Sequence, residues 1–229
     1  MSASAHQPPT DIAAWNRELN QTHAMADMRA RAGLVVRTIE ARRRRLVAEA
    51  VCAEQPRLVV DVGCEDGWIA EAYAPHVDRV VLADLDPTVL ERAPAGCEAV
   101  VADATDPHAL IGYLGAARAD VIVLSALLEH LPEPAAALQA LTSVLAPRGA
   151  FVVYLPADRP ILFAKKVLRV TGLGRFIKGL SLEPAPGHLH VFGRDDVRAL
   201  LQPFGTLESL RFDPVCLGTL AVLRVREGA

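Results

Sequence analysis

Residues 58–67 read LVVDVGCEDG, and Trp68-Ile69-Ala70-Glu71-Ala72 follows. A run of apolar, β-branched residues that ends on two glycines predicts a buried strand, a tight turn and then a helix. Gly63 and Gly67 let the backbone approach a ligand closely, and the N-terminus of the helix behind them offers unpaired N–H groups. Such a turn is common on its own. Asp84 gives it weight, because it ends the next strand-like run 21 positions after Gly63, where a carboxylate can accept hydrogen bonds from ribose hydroxyls. Asp103 ends the run after that. Three carboxylates, Asp61, Asp84 and Asp103, thus close three successive strands on one sheet edge, and such an edge makes a nucleoside pocket.

The alternation continues on both sides of this stretch. Leu58 to Val62, Arg79 to Ala83, Ala99 to Ala102, Asp120 to Leu124 and Ala150 to Leu155 each read as buried strands, with Ala/Leu-rich helical segments between them. The pattern predicts an α/β fold with a Rossmann-like, mostly parallel sheet and helices on both faces. After Gly187, a helix from Asp195 to Leu201 leads to two strand-like runs, Leu207 to Phe212 and Leu220 to Val225, a terminal antiparallel pair at one sheet edge. Upstream, residues 1–10 are polar, contain Pro8-Pro9 and are expected to be loose. Asp11 to Ala53 reads as helical with a break at Gly33, as cover helices laid on the domain. Within it the run Arg42 to Arg45 reads as a solvated helix face. The expected organisation is a tail with cover helices over residues 1–54 and a catalytic domain over 55–229, with a helical lid inserted at about 157–190.

Composition narrows the class. The chain has 229 residues, 52% of them hydrophobic, and a formal charge of −3. It lacks the basic excess that gives nucleic-acid binders their sequence-independent affinity, so a small or lipophilic partner is expected and a nucleic acid is not. The N-terminal residues MSASAHQPPT have no basic segment followed by an apolar run, and no stretch reaches the roughly 18 uninterrupted apolar residues of a membrane span. A cytoplasmic location is expected. Cys52, Cys64, Cys97 and Cys216 show no CxxC spacing, which removes zinc ribbons and redox pairs and leaves reduced thiols.

The segments LVVDVGCEDG, VVLADLD, VVADATD, ADVIVLSALLEHLPEP and LTSVLAPRGAFVVYLP, in this order, resemble the successive motifs of class I S-adenosylmethionine-dependent methyltransferases over roughly residues 55–155. The resemblance implies S-adenosylmethionine as cofactor. It implies that Asp61, Gly63 and Gly67 shape the methionine side of the site, that Asp84 holds the ribose and that Asp103 with Ala104 meets the adenine. Ser125 and Leu127 would border the sulfonium, and Cys64 and Leu85 would be further cofactor contacts. Glu65 departs from the family, which usually has glycine there, so its side chain must turn away from the cofactor or its backbone must avoid φ > 0. A dehydrogenase would need glycine at the positions of Glu65 and Trp68. The Asn/Asp-Pro-Pro-Tyr type of motif of nucleobase methyltransferases is replaced by Leu124-Ser125-Ala126-Leu127.

Transfer from a sulfonium needs little beyond in-line approach, and a base is required only where the acceptor carries a proton. His130, in Leu128-Glu129-His130-Leu131, and His188, in Gly187-His188-Leu189-His190, are the catalytic candidates, with loop anchoring and structural hydrogen bonding as their plainer roles. Tyr154 either lines the same pocket or packs as an ordinary strand tyrosine. In quinone O-methyltransferases, which this region resembles, an earlier glutamate joins the Glu-His pair around a divalent metal. Ala126 stands at that position, and two ligands are too few, so no metal is expected. The expected reaction is methyl transfer to a small or lipophilic molecule at oxygen, and the alternative is a cofactor-binding regulatory protein without turnover. Between Arg159 and Lys178 the chain carries +6, with Ile161, Phe163, Ala164, Val167, Leu168 and Val170 on one helical side and Lys165, Lys166 and Arg169 on the other. Such a lid packs on the domain or makes peripheral contact with an anionic membrane surface, and Gly172, Gly174 and Gly179 divide it into two helices. Oligomeric state is not encoded in any of these features.

Overall fold

The computed structural model describes Arg29, residues 32–172 and residues 187–226. Its centre is one seven-stranded sheet of β1 (Leu58–Val62), β2 (Arg79–Asp84), β3 (Glu98–Val101), β4 (Ala119–Ser125), β5 (Leu145–Pro156), β6 (Gly205–Asp213) and β7 (Gly218–Val225). The strand order is β3-β2-β1-β4-β5-β7-β6. The first five strands are parallel, and β7 enters antiparallel between β5 and β6. The sheet is therefore the mostly parallel one expected from the sequence, with the terminal pair at one edge.

The continuous apolar runs reflect burial on both faces. Val59, Val121, Val123, Ala150 and Val152 pack on one side, with α1 (Leu34–Ala53) and α2 (Pro87–Leu90) over them through Val47, Val51 and Leu90. Val60, Val62, Ile122, Leu124, Phe151 and Val153 pack on the other, against α3 (His108–Leu114), α4 (Pro134–Thr142) and α6 (Arg194–Leu201). α1 starts directly after Gly33, which adopts an extended conformation as its N-cap, so the expected break is a helix start. The more N-terminal part of the expected cover helices lies outside the described residues.

Two expectations are corrected. The segment from Trp68 onward is not an α-helix but two short 3-10 turns, Ala70–Ala72 and Ala74–His76. Pro75 has no N–H to give and restricts Ala74 before it, which stops a helix in its first turns. The third strand is a half-buried edge rather than a buried strand, with alternate residues exposed. Arg79 makes a bidentate ion pair with Glu98 there, at 2.8 Å for each N–O contact, and a charged edge of this kind resists pairing with another chain.

After β5 the chain enters α5 (Asp158–Thr171), which Gly172 ends in the left-handed conformation. The expected second lid helix, with Gly174 and Gly179, falls on residues outside the described ones.

Candidate functional site

The C-terminal ends of β1, β2 and β4 open onto one edge, and the loops leaving them are held in unusual conformations. Gly63, Glu65 and Gly67 all have positive φ, as does Ala126 after β4. Glu65 and Ala126 gain nothing from this locally, because a side chain in the left-handed region is strained unless neighbours hold it. For Glu65 the holding group is Asp84, whose Oδ2 accepts the Glu65 amide at 3.0 Å while Oδ1 accepts the Asp86 amide at 3.0 Å. The open alternative for Glu65 thus resolves as a backbone with φ of 51°. The two loops touch: a methyl group on Gly63 would lie 2.8 Å from Leu127 Cδ1, so the glycine is needed for their approach.

The sequence candidates take different places. Asp84 ends β2 and is nearly buried; its pKa is raised by burial, against the hydrogen bonds from the backbone. Leu85 follows it, half-buried. Asp61 lies within β1 rather than at its end, buried, accepting the Tyr73 hydroxyl at 2.7 Å. Burial and the charge of Asp84 push its pKa to about 7, although Tyr73 and Arg43 act the other way. Gly67 abuts Leu82 and Pro94, where a methyl group would lie 2.7 Å from each, so it packs the loop onto β2. The Cys64 thiol is raised by burial and by Asp61 and Asp84 and is no nucleophile at neutral pH. Asp103 turns onto its own loop, accepting the Thr105 amide and hydroxyl at 2.7 Å each. Ala104 is buried in the core beside Leu110. Ser125 ends β4, and its buried Oγ has no hydrogen-bond partner among the described residues.

The second part of the site comes from a different segment. The carbonyl of Glu129 accepts the amides of Leu189 and His190 at 2.8 and 3.2 Å, which docks residues 187–190 onto the 3-10 turn Leu128–His130. His130 Nδ1 lies 3.0 Å from the Gly187 carbonyl, so this nitrogen carries the proton and Nε2 keeps its lone pair in the neutral ring. His190 Nε2 donates to the Leu131 carbonyl at 2.9 Å, which makes it structural. His188 meets His130 edge to face, with ring centroids 4.9 Å apart. Glu129, fully buried, joins them: one ligand atom from each of Glu129, His130 and His188 lies within 4.8 Å of the others.

The strained loops after β1 and β4 and the cluster of Glu129, His130 and His188 thus follow the same strand ends. Residues 29–206 match the family described as a methyltransferase domain. The chain belongs to that family. A curated relative, an uncharacterized methyltransferase of Mycobacterium tuberculosis, is 30% identical over 152 residues, which cover 62% of this chain and 77% of the relative. The ubiquinone biosynthesis O-methyltransferase of Psychrobacter arcticus is 32% identical over 138 residues, covering 56% of this chain and 54% of that protein. Among solved structures, magnesium protoporphyrin IX methyltransferase from Synechocystis PCC 6803, with bound SAH, is 15% identical with a TM-score of 0.67 and covers 95% of this chain and 100% of that one.

Sequence reasoning about this methyltransferase missed Arg43. The run Arg42 to Arg45 is not one solvated face: Arg42 bonds Asp213 at 2.8 Å, Arg44 bonds Glu71 at 2.9 Å, and Arg45 remains exposed beside Glu49. Arg43 turns inward, with 12% of its side chain exposed, and pairs with Glu40 at 2.9 Å. Burial pulls its pKa down, but Glu40, Tyr154, Glu65 and Glu129 outweigh this and hold it above the usual value. The signal was present as spacing, since Arg43 falls four residues before Val47 and eight before Val51, both buried. Trp68 was read only as a non-glycine; the guanidiniums of Arg29 and Arg44 lie 4.8 and 5.0 Å from its ring centre and tie the N-terminal cover to the loop. Tyr154 takes the plainer role, donating from a buried ring to the Cys216 carbonyl at 3.2 Å.

Proposed function

We propose that this methyltransferase moves a methyl group from S-adenosylmethionine to a hydroxyl oxygen of a small or lipophilic molecule. The observation that carries the reading is the strained turn at Glu65, pinned by Asp84 at 3.0 Å, because strain at a strand end persists where a close ligand approach needs it. The residues present fit the donor. Asp84 and Leu85 serve the ribose, with Asp103 and Ala104 at the adenine, and Ser125 brings a buried hydroxyl without a partner among the described residues. Gly63, Cys64, Gly67 and Leu127 form the close wall. Arg43, whose buried Nε also lacks a partner among the described residues, suits the carboxylate of the methionine part, while Asp61 suits its ammonium group.

When bound, the donor supplies an electrophilic methyl carbon on a sulfonium. The protein's own contribution is position, exclusion of water and management of one proton. His130 Nε2 and the His188 ring sit where a hydroxyl proton can be held or taken, and the docked segment 187–190 closes that side. Oxygen as the acceptor is supported by this basic pair and by the name of the Psychrobacter relative. Among the described residues no helix is long and apolar enough to cross a membrane. A cytoplasmic setting suits the four cysteines, which are all free.

The test is incubation with methyl-labelled S-adenosylmethionine and a panel of phenols, quinols, amines and thiols, with products read by mass spectrometry. Label on hydroxyl acceptors supports the reading. Label on amines or thiols alone removes oxygen, and binding of the cofactor without any labelled product leaves the regulatory alternative.

A further inference from the structure

The cluster of Glu129, His130 and His188 has a composition and a setting that a simple acid–base pair does not need. Its ligand atoms fall within 4.8 Å of one another. An ion with bonds of about 2.1 Å to nitrogen and oxygen holds its ligands about 3.4 Å apart in a tetrahedron, so side-chain rotations of about 1 Å close the set. His130 is already oriented for it: the Nδ1 proton goes to the Gly187 carbonyl at 3.0 Å, the support that metal-binding imidazoles characteristically receive on their second nitrogen. The two rings stand at 84° to one another and meet edge to face, not stacked. His188 is carried to the cluster by the amides of Leu189 and His190 on the Glu129 carbonyl, a staple that fixes the third ligand beside the first two. Ala126 adds no second carboxylate to the Glu129–His130 pair in the loop after β4, and a histidine 58 residues beyond His130 stands as the third candidate ligand.

We propose that Glu129, His130 and His188 bind one divalent ion of the zinc, cobalt or iron(II) class, with open positions for the acceptor hydroxyl. Two imidazoles and one carboxylate suit these ions, and magnesium, which prefers oxygen ligands and keeps its waters, is a poor match. The proposal deepens the proposed function and rests on it in one respect: with the ion in place the histidines act through it, and a hydroxyl on an open position loses its proton more readily than in water. The expectation of no metal weighed Glu129 and His130 alone, and the proposal adds His188 to them.

The experiment uses the intact protein, stripped with a chelator and titrated with zinc, cobalt and magnesium salts, in parallel with the His188→Asn variant. Calorimetry is expected to show one zinc per chain, at least tenfold weaker in the variant, and no saturable heat with magnesium. Cobalt is expected to give visible d–d bands that the variant loses. Zinc binding equal in the two proteins, or cobalt spectra that do not change, overturns the site. Each protein is also titrated with S-adenosylhomocysteine: retained binding shows that His188→Asn is folded, and its absence in the unaltered protein counts against the cofactor reading without touching the metal result.

Discussion

The amide of Glu65 lies 3.0 Å from Asp84 Oδ2, so the carboxylate proposed to hold the ribose also clamps the left-handed turn of the preceding loop. Asp84→Ala removes both functions at once. S-adenosylhomocysteine affinity is expected to fall by 5- to 150-fold, from the loss of about 1–3 kcal/mol when polar groups are left unpaired in a closed pocket. Asp84→Asn keeps an acceptor for the turn and should lose less. Calorimetry showing equal affinity in all three proteins would remove Asp84 from the cofactor site.

Stability should depend on pH through Asp61 and Glu65. Both have folded pKa values of about 7, caused first by burial, against ordinary values near 4. The folded state therefore retains protons that the unfolded chain releases, and stability is greatest below the unfolded pKa and declines as pH rises toward 7. Asp61→Asn can still accept the Tyr73 hydroxyl and carries no charge. Urea unfolding of the cofactor-free protein at pH 5, 6, 7 and 8 is expected to show a smaller decline in Asp61→Asn than in the parent, each group contributing at most about 1.4 kcal/mol per pH unit. Parallel curves would contradict the assignment.

Gly218 makes room for Tyr154. A methyl group there would lie 2.0 Å from the Tyr154 oxygen and 2.2 Å from Cζ, and the ring is locked in the sheet by its bond to the Cys216 carbonyl. Gly218→Ala is expected to cost about 1–3 kcal/mol, the usual range for overpacking. The double variant with Tyr154→Ala should show no added cost from the alanine at 218, a coupling that a thermodynamic cycle of denaturant midpoints measures directly.

The exposed side of α5 gives the membrane proposal a sharper form. Phe163 and Val170 are 70% and 79% exposed, Val167 lies between them one helical turn from each, and Lys166 and Arg169 border this stripe. The expected apolar side is thus partly turned outward, with Ile161 and Leu168 on the inward side. We expect co-sedimentation with anionic vesicles at low salt, weakened at high salt by screening and reduced by Phe163→Ser or by Lys166→Gln with Arg169→Gln. Binding to neutral vesicles as strong as to anionic ones would dissociate the contact from the basic residues, and no binding to either would end the proposal.

The sheet was legible in the sequence because buried parallel strands are continuous apolar runs, and Val59, Val81, Ile122 and Val152 needed nothing else to be placed. The segment after Gly67 was not, since the apolar spacing of Trp68 to Ala72 favours a helix that Pro75 cuts short. Asp84 and Gly63 were found from local pattern. Arg43 was hidden by three neighbouring arginines with ordinary surface partners, although its spacing from Val47 and Val51 marks the buried stripe. The company of His188 could not be read locally, because Gly187 meets His130 across 57 positions, and only the fold sets that distance.

One carbonyl oxygen, that of Glu129, receives both amides that hold residues 189 and 190 in place. On the proposed reading, the histidine cluster is consequently assembled by a docked loop segment and not by the loop after β4 alone. Were the segment released, His188 would leave Glu129 and His130, and the proposed proton-handling cluster would come apart in the same event. The proposed chemistry would then be coupled to the docking of this segment, so that a turnover would pass between a closed arrangement that reacts and an open one that exchanges ligands.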